Sequence, residues 1–322
     1  MSGSRPGWRR FAVLLVAAAG MAAGGQPASA ISIELKDVAA DRIERQRAAV
    51  EGRLPLANTP DVGRFQERLA EAGVKSGSPI LMRVFKETSE LELWIEKDDR
   101  FILFATYPIC HWSGTLGPKL KEGDKQTPEG FYTITSRQLR HLGRWPRAIN
   151  LGFPNAFDRA HDRDGSYILM HGGCSSVGCF AMTNPVISEI YGLTKAALNG
   201  GQRYVPMHVF PFRMTDEALA ARTGSPWHGF WSTLQAGYKS FERTGRPPRV
   251  SICQGQYSVE DAPPKSDAAA EAPAPKRGRG KSRSDMMLGA LRTVCPAPVV
   301  VTAEGKGSAA AAPGGMEIAK PH

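Results

Sequence analysis

Alternating apolar and polar residues predict β-strands across the middle of the chain. Three runs rich in β-branched and aromatic residues lie at Ile80 to Phe85, Leu91 to Ile95 and Phe101 to Tyr107, and the turn residues Asp98-Asp99 separate the last two. Such runs, bounded by turn residues, are typical of an antiparallel meander. Long Gly-rich loops between the later strands indicate a functional site. Those later strands are predicted at Gly130 to Ser136, Tyr167 to His171 and Met207 to Phe210.

Apolar residues at helical spacing predict three helices. The first has Thr59 as its N-cap and ends at Gly73, before the first strand. The second follows Asn184, and the third begins near Pro226. An aromatic stripe in the third helix has the period that burial alone produces, so we assign it to the core. The stripe consists of Trp227, Phe230, Trp231, Leu234, Tyr238 and Phe241. Strands and helices together predict a mainly β domain with flanking helices.

Residues 1–30 predict export from the cytoplasm. Arginines near the start precede an uncharged run from Phe11 to Gly25, and small residues provide a cleavage site after Ala30. The run is short and rich in Ala and Gly, which favours a cleaved signal peptide over a membrane anchor. We therefore expect a mature chain that starts at Ile31, lies in the periplasm or cell wall and has no stable membrane span.

The composition is that of a folded protein with a disordered C-terminal tail. The 322 residues are 42% hydrophobic and carry 41 Lys and Arg against 31 Asp and Glu, a net charge of +10. This much apolar sequence can form a core, so the chain as a whole is not disordered. Ala and Pro dominate residues 258–322, which predicts a disordered basic tail. Export argues against nucleic acid as a partner for its basic cluster. The cluster consists of Lys276, Arg277, Arg279, Lys281 and Arg283.

The number of cysteines is odd. They are Cys110, Cys174, Cys179, Cys253 and Cys295. Disulfides form in oxidising compartments, so an odd number predicts at least one unpaired thiol, which is either a buried small hydrophobe or a reactive group. Two pairings stay open from the sequence: Cys174 with Cys179 across a short loop, and Cys253 with Cys295 in the tail.

The segment from Tyr167 to Thr183 carries the strongest chemical signal. It places His171 at a strand end and Cys179 eight residues later. An ordinary cysteine is largely protonated at neutral pH, so a nucleophilic Cys179 needs a base, and His171 is the candidate. Glycines in the intervening loop let the backbone turn tightly. The backbone amides of Gly178 and Cys179 are the candidate oxyanion hole.

Two motifs resemble the L,D-transpeptidase catalytic domain family of the YkuD type. One is His171-Gly with Ser176-x-Gly178-Cys179, and the other is Thr127-Pro128-Glu129-Gly130 after a loop that begins at Ser113. The short loop before Cys179, the run Cys-Phe-Ala-Met-Thr and the stretch from Asn150 to Asp158 resemble the YafK-like branch. The resemblance covers residues 54–257. It implies a β-sandwich-like catalytic domain with a cysteine nucleophile.

The resemblance also implies roles for individual residues. Cys179 would attack an amide carbonyl, His171 would take its proton and later supply one, and Ser176 and Gly178 would shape the loop. Two positions depart from the wider family. Val177 stands where a His commonly sits, and Ala181 stands where an Arg commonly follows. The absent Arg bears on how a substrate is held, and the YafK-like branch includes proteins thought to cleave crosslinks. The direction of the reaction therefore stays open.

Other residues are weaker candidates. His161 lies in a polar loop just before the catalytic strand, and Tyr132 and Asn150 join it as candidate substrate contacts. Cys174 is an alternative nucleophile that matches the family pattern less well. A zinc site built from the histidine and cysteines of this segment is a competing interpretation. Structural zinc sites usually show paired short spacings such as Cys-x-x-Cys, so we expect neither a metal nor a cofactor.

The expected function is acyl transfer on peptidoglycan stem peptides that contain diaminopimelate, through a Cys179 thioester. The alternative is hydrolysis of stem-peptide crosslinks or of the link between peptidoglycan and a covalently attached lipoprotein. A catalytically silent wall-binding protein is a third class, in which Cys179 would be inert to a thiol alkylator. The predicted segments are a signal peptide (1–30), a helical leader (31–78), the catalytic domain (79–212), a C-terminal helical extension (213–257) and the tail (258–322).

Overall fold

The predicted meander forms one side of a five-stranded mixed sheet. The computed structural model describes residues 40–139, 145 and 147–263. Strand order in this sheet is β3-β2-β1-β8-β4, with β1 parallel to β8 and the other neighbours antiparallel. The three meander strands are therefore confirmed. The strands are β1 (Ile80–Phe85), β2 (Glu90–Lys97), β3 (Arg100–Pro108), β4 (Gly130–Ile134), β5 (Ile149–Asn150), β6 (Leu169–His171), β7 (Phe180–Ala181), β8 (Val205–Phe210), β9 (Arg249–Cys253) and β10 (Gln256–Glu260).

Helices cover both faces of the large sheet. The described helices are α1 (Ala40–Val50), α2 (Phe65–Ala72), α3 (Ala156–Ala160), α4 (Asn184–Asn199), α5 (Asp216–Ala220) and α6 (His228–Thr244). Met82 and Val84 share a core cluster with Ile190 of α4, whereas Phe85 shares another with Trp231 of α6. Because both faces are covered, every residue of β1 is buried. Mixed sheets with flanking helices match the predicted fold class.

The first predicted helix begins later than expected. Asp61 is the cap, and not Thr59: the Asp61 carboxylate accepts a hydrogen bond from the Gly63 amide at 2.9 Å. A short 3₁₀ turn, Val62–Arg64, then leads into α2. A carboxylate suits this place because it accepts an orphan amide hydrogen and complements the positive end of the helix dipole. The predicted end is confirmed, since Gly73 has a φ of 65°.

The two later helices follow the prediction closely. Helix α4 includes Asn184 as its first residue, with Thr183 rather than Asn184 in the N-cap position. Helix α6 begins just after Trp227. Its aromatic stripe packs into the core, as predicted from the helical period. The buried members of the stripe are Trp231, Leu234, Tyr238 and Phe241.

The chain stays folded past Ser258, where the tail was predicted to start. Strands β9 and β10 pair as an antiparallel hairpin that reaches Glu260. The Tyr257 ring stacks on Phe157 with 4.1 Å between centroids, and its hydroxyl accepts a hydrogen bond from Asn155 at 3.0 Å. The predicted signal peptide, the basic cluster and Cys295 lie outside the described residues. Among the residues the structure describes, no helix is both long and apolar enough to cross a membrane.

Candidate active site

A second, three-stranded sheet brings His171 and Cys179 together. Strand β6 lies between β5, its antiparallel neighbour, and β7, its parallel neighbour. His171 is opposite Ala181 in the register, so Cys179 lies just before β7, level with Leu169. The Leu169 amide donates a hydrogen bond to the Cys179 sulfur at 3.3 Å. The thiol therefore lies beside β6, two residues along the register from His171.

A backbone carbonyl fixes the tautomer of His171. The ring is buried, and its Nδ1 lies 2.6 Å from the Gly172 oxygen. A carbonyl only accepts hydrogen bonds, so Nδ1 carries the proton and Nε2 carries the lone pair that a general base needs. Trp145 stacks on the ring with 4.7 Å between centroids. A Cβ at Gly173 would lie 2.5 Å from the Trp145 ring, which explains a glycine there.

Cys179 is a free, half-buried thiol. Its sulfur donates to the Tyr167 carbonyl at 3.6 Å and accepts from the Leu169 amide. Burial raises the pKa of Cys179, and hydrogen bonds from Leu169 and Ser176 together with the Lys119 charge oppose that rise. The thiol form therefore dominates at neutral pH, so the nucleophile depends on a base that removes its proton.

We expect alkylation of Cys179 by iodoacetamide to report this raised pKa. At neutral pH the rate constant is expected to be lower than that of an unstructured cysteine peptide, since only the thiolate reacts. It should then rise by about tenfold per pH unit until the raised pKa is reached. Mass spectrometry of Cys179 across a pH series measures the profile. A rate that is already flat below the pKa of the peptide would instead indicate a thiolate paired with a protonated His171.

The amides predicted to form the oxyanion hole already have partners. The Gly178 amide donates to the Ser113 hydroxyl at 2.6 Å, and the Cys179 amide donates to the Ser176 hydroxyl at 2.9 Å. A substrate oxygen must therefore displace these hydroxyls or share the two hydrogens with them. Gly178 has a φ of 91°, a conformation that glycine adopts readily. We call residues 172–178, between the histidine and the cysteine, the nucleophile loop.

The disulfide of this region joins Cys110 to Cys174. The alternative pairing of Cys174 with Cys179 is therefore wrong in this structure, and Cys179 keeps its thiol. The bond also removes Cys174 as an alternative nucleophile. A zinc site would lose two of its candidate thiolates for the same reason. The disulfide joins the nucleophile loop to the segment that follows β3, in a buried cluster with Ala48 of α1 and Leu56.

The weaker candidates for substrate contact have different surroundings. Tyr132 is only 2% exposed, and its hydroxyl donates to Asp158 at 3.2 Å, so it offers a substrate no surface here. Asn150 is half-buried in β5, where its side-chain oxygen accepts from the Gly152 amide. His161 is exposed, and its Nε2 lies 2.8 Å from the Gly255 carbonyl. Substrate contact by Asn150 and His161 stays a prediction.

A buried ion pair supports the Thr-Pro-Glu-Gly motif. Lys86 and Glu129 are both fully buried, with 2.8 Å between Nζ and Oε1. Lys86 also donates to the carbonyls of Gly117 and Thr127, which occupies all three of its hydrogens. The other Glu129 oxygen accepts from the Trp231 indole at 2.8 Å. Burial lowers the pKa of Lys86, whereas the Glu129 charge opposes this shift.

Sequence reasoning missed several residues of this site. Ser113 opened a recognised motif but was given no role, and His111 was not named as part of the site. Trp145 was not singled out. A cleft of about 620 Å³ also opens beside the nucleophile loop, and nothing in the sequence pattern pointed to it. Its walls come from α1, residues 173–175 of the loop and the start of α4.

A free thiol just before β7 and an imidazole of fixed tautomer at the end of the neighbouring strand β6 define a candidate cysteine–histidine catalytic domain. The family model for the L,D-transpeptidase catalytic domain, YkuD, matches residues 84–240. The protein named "Putative L,D-transpeptidase YafK" from Escherichia coli (strain K12) is 45% identical over 183 residues, which cover 57% of this chain and 74% of that protein. The chain therefore belongs to the L,D-transpeptidase catalytic domain family, as its motifs predicted. The family relationship supports peptidoglycan L,D-transpeptidase-type function.

Other proteins match parts of this chain. The protein of the same name from Escherichia coli O157:H7 gives the same identity and coverage. The helical cell shape determining protein Pgp2 from Campylobacter jejuni has a solved structure with a TM-score of 0.32 and 20% identity, covering 56% of this chain and 66% of that chain. Bd1075 from Bdellovibrio bacteriovorus has a TM-score of 0.31 and 22% identity, covering 42% and 48%. The chain thus covers less than two thirds of each of these two structures.

Proposed function

We propose that this protein is an exported cysteine L,D-transpeptidase that acts on diaminopimelate-containing stem peptides of peptidoglycan. The observation that carries the proposal is the free thiol of Cys179, which hydrogen-bonds β6 at Leu169, two residues before His171 on the same strand. Membership of the L,D-transpeptidase family supplies the substrate class. The apolar run and cleavage motif in residues 1–30 support export to the periplasm or cell wall.

The proposed reaction proceeds in two halves. His171 Nε2 takes the proton from Cys179, and the sulfur attacks the carbonyl at the L-centre of diaminopimelate. The carbon–sulfur bond forms, the carbon–nitrogen bond breaks, and the leaving amine receives the proton from His171. A thioester between the stem peptide and Cys179 remains. An acceptor amine then attacks the thioester, passes a proton to His171 and releases the thiol with a new amide bond.

Water as the acceptor would convert the same thioester into a free carboxylate. Hydrolysis of a crosslink, or of the bond between peptidoglycan and an attached lipoprotein, would therefore use the same two side chains. Transfer and hydrolysis differ only in the nucleophile that reaches the thioester, so the products identify the reaction.

Mass spectrometry of products tests the proposal. The protein from Ile31 onward is incubated with stem-tetrapeptide muropeptides and with whole sacculi, with a D-amino acid supplied. Products that carry the added amine and depend on Cys179 are expected. Cys179→Ala is the inactive comparison, and Ser232→Ala, at an exposed position of α6, is the control that should retain activity. Water-terminated stems or released proteins would show that the reaction is hydrolysis and not transfer. If no product depends on Cys179, the enzyme proposal fails for these substrates.

A further inference from the structure

The residues that follow β3 run alongside the nucleophile loop. We call Cys110, His111, Trp112 and Ser113 the tether segment. Backbone hydrogen bonds join its start to β7: the Cys110 and His111 amides donate to the Ala181 carbonyl, and the Ala181 amide donates to the His111 carbonyl at 2.8 Å. The tether segment therefore continues the three-stranded sheet next to the strand that follows the nucleophile.

Three side chains of the tether segment hold alternate residues of the nucleophile loop. Cys110 forms the disulfide with Cys174. The His111 ring lies near the backbone of Ser176, which opposes the lowering of the His111 pKa by burial. Ser113 accepts the Gly178 amide at 2.6 Å, and its hydroxyl lies 3.4 Å from the Ser176 carbonyl, to which it donates. The loop is thus fixed at residues 174, 176 and 178, and Cys179 comes directly after the last of these points.

The side chains of the tether segment that face the nucleophile loop are buried. These are Cys110, His111 and Ser113. Burial and the nearby Arg42 charge lower the pKa of His111 to about 4, so the ring is neutral and has one N–H. Among the described residues Nδ1 of this ring has no hydrogen-bond partner, so the interaction with the Ser176 backbone falls to Nε2. Buried hydrogen bonds of this kind define one loop conformation, because breaking them leaves polar groups unsatisfied.

Hydrogen bonds to Thr127 fix the backbone of Ser113. Its amide donates to the Thr127 hydroxyl at 2.9 Å, and the Thr127 amide donates to its carbonyl at 3.0 Å. Thr127 in turn uses its own carbonyl to accept from Lys86. A continuous chain of buried hydrogen bonds therefore runs from the Thr-Pro-Glu-Gly motif through Ser113 to the amide of Gly178.

We propose that the tether segment positions the nucleophile, and that Ser113 is the positioning residue that sets the place of Cys179 relative to His171. The inference rests on the proposed function for its chemistry, since it concerns the same thiol. Ser113 acts on Cys179 through the Gly178 amide, whose hydrogen a substrate oxygen would share with the Ser113 hydroxyl. Small displacements of a reacting group are costly to turnover, so loss of this hydroxyl acts on the chemical step more than on substrate binding.

The test compares two replacements of Ser113. In Ser113→Ala the Gly178 amide loses its acceptor, and kcat is expected to fall by about 10- to 100-fold with KM changed by less than about threefold. Ser113→Thr retains a hydroxyl and should recover most of the lost kcat. Ser232→Ala is the matched control, because that hydroxyl is exposed on α6 and bonds only within its own helix. Thermal unfolding and near-UV circular dichroism establish that each variant is folded at the assay temperature.

Alkylation of Cys179 gives a readout that needs no peptidoglycan. Loosening the loop relieves the burial of the sulfur, so folded Ser113→Ala is expected to react with iodoacetamide at least about fivefold faster at neutral pH, while Ser113→Thr stays near the wild type. Faster alkylation of Ser113→Ala, together with no turnover by any protein including the wild type, would support the positioning role and contradict the proposed function. Unchanged kcat and unchanged alkylation in folded Ser113→Ala would overturn the positioning role alone.

If Ser113→Ala does not fold, a second variant tests the same proposal. Thr127→Val removes the hydroxyl that holds the Ser113 amide and keeps the side-chain volume. A smaller change in the same direction is expected, with kcat lowered by about threefold to tenfold and alkylation accelerated. Thr127→Ser, which retains the hydroxyl, is its matched control. If Thr127→Val behaves like Thr127→Ser in both measurements, the proposed chain of hydrogen bonds does not control Cys179.

Discussion

Replacing His171 with glutamine is expected to lower kcat by about 10²- to 10⁴-fold, the range that a positioned general base contributes. The Nδ1 proton is committed to the Gly172 carbonyl at 2.6 Å, so Nε2 is the nitrogen that accepts the thiol proton. Glutamine is planar and polar but has no basic nitrogen. Because burial raises the pKa of Cys179, this thiol needs the base more than an exposed cysteine does. Steady-state kinetics on the stem peptide measure the loss.

A second variant separates the loss of the base from general damage. Cys179→Ala is expected to lower turnover by about 10⁴-fold or more, and adding His171→Gln to it should cost nothing further, because both side chains act on one bond. His228→Gln, at the half-exposed first residue of α6, is the matched control and should stay within about threefold of the wild type. Near-normal kcat in folded His171→Gln would mean that another group takes the proton.

The large sheet could be predicted because its signal is local. In the meander, strands β1, β2 and β3 follow one another through short turns, so each strand pairs with its sequence neighbour. The β9–β10 hairpin also pairs neighbouring strands, but it was missed because its strands are short, half polar and mostly half-exposed. It is held by Tyr257, whose partners Phe157 and Asn155 lie about a hundred residues earlier. A pattern read along the chain cannot show such partners.

The same distinction holds for the candidate site. His171 and Cys179 are eight residues apart and flank one loop, so their spacing in a recognised motif was enough to single them out. The groups that shape this loop come from elsewhere: Cys110 lies 64 residues from Cys174, and Ser113 lies 65 residues from Gly178. The sequence therefore indicated which residues react, whereas the three-dimensional structure was needed to show what holds them.

The buried ion pair carries the other large expected effect, and this one concerns stability. Glu129→Gln is expected to lower the free energy of unfolding by about 3 to 5 kcal/mol, because it leaves the fully buried Lys86 without its countercharge. The new amide would also place N–H groups near an ammonium whose other acceptors are the carbonyls of Gly117 and Thr127. Urea unfolding followed by circular dichroism measures the change. Glu67→Gln is the matched control, since its ion pair with Arg64 is solvent-exposed and should contribute little.

The double variant Lys86→Met/Glu129→Gln distinguishes a charge effect from a packing effect. Removing both charges eliminates the uncompensated cation, so the double variant should be less destabilised than the sum of the two single variants. Strict additivity would contradict coupling between the two charges. The pair also holds the Thr127 carbonyl, and Thr127 holds Ser113. A folded Glu129→Gln protein is therefore expected to lose turnover as well, in the same direction as Ser113→Ala. If Glu129→Gln lowers stability but leaves kcat of the folded protein unchanged, the ion pair stabilises the fold without affecting turnover.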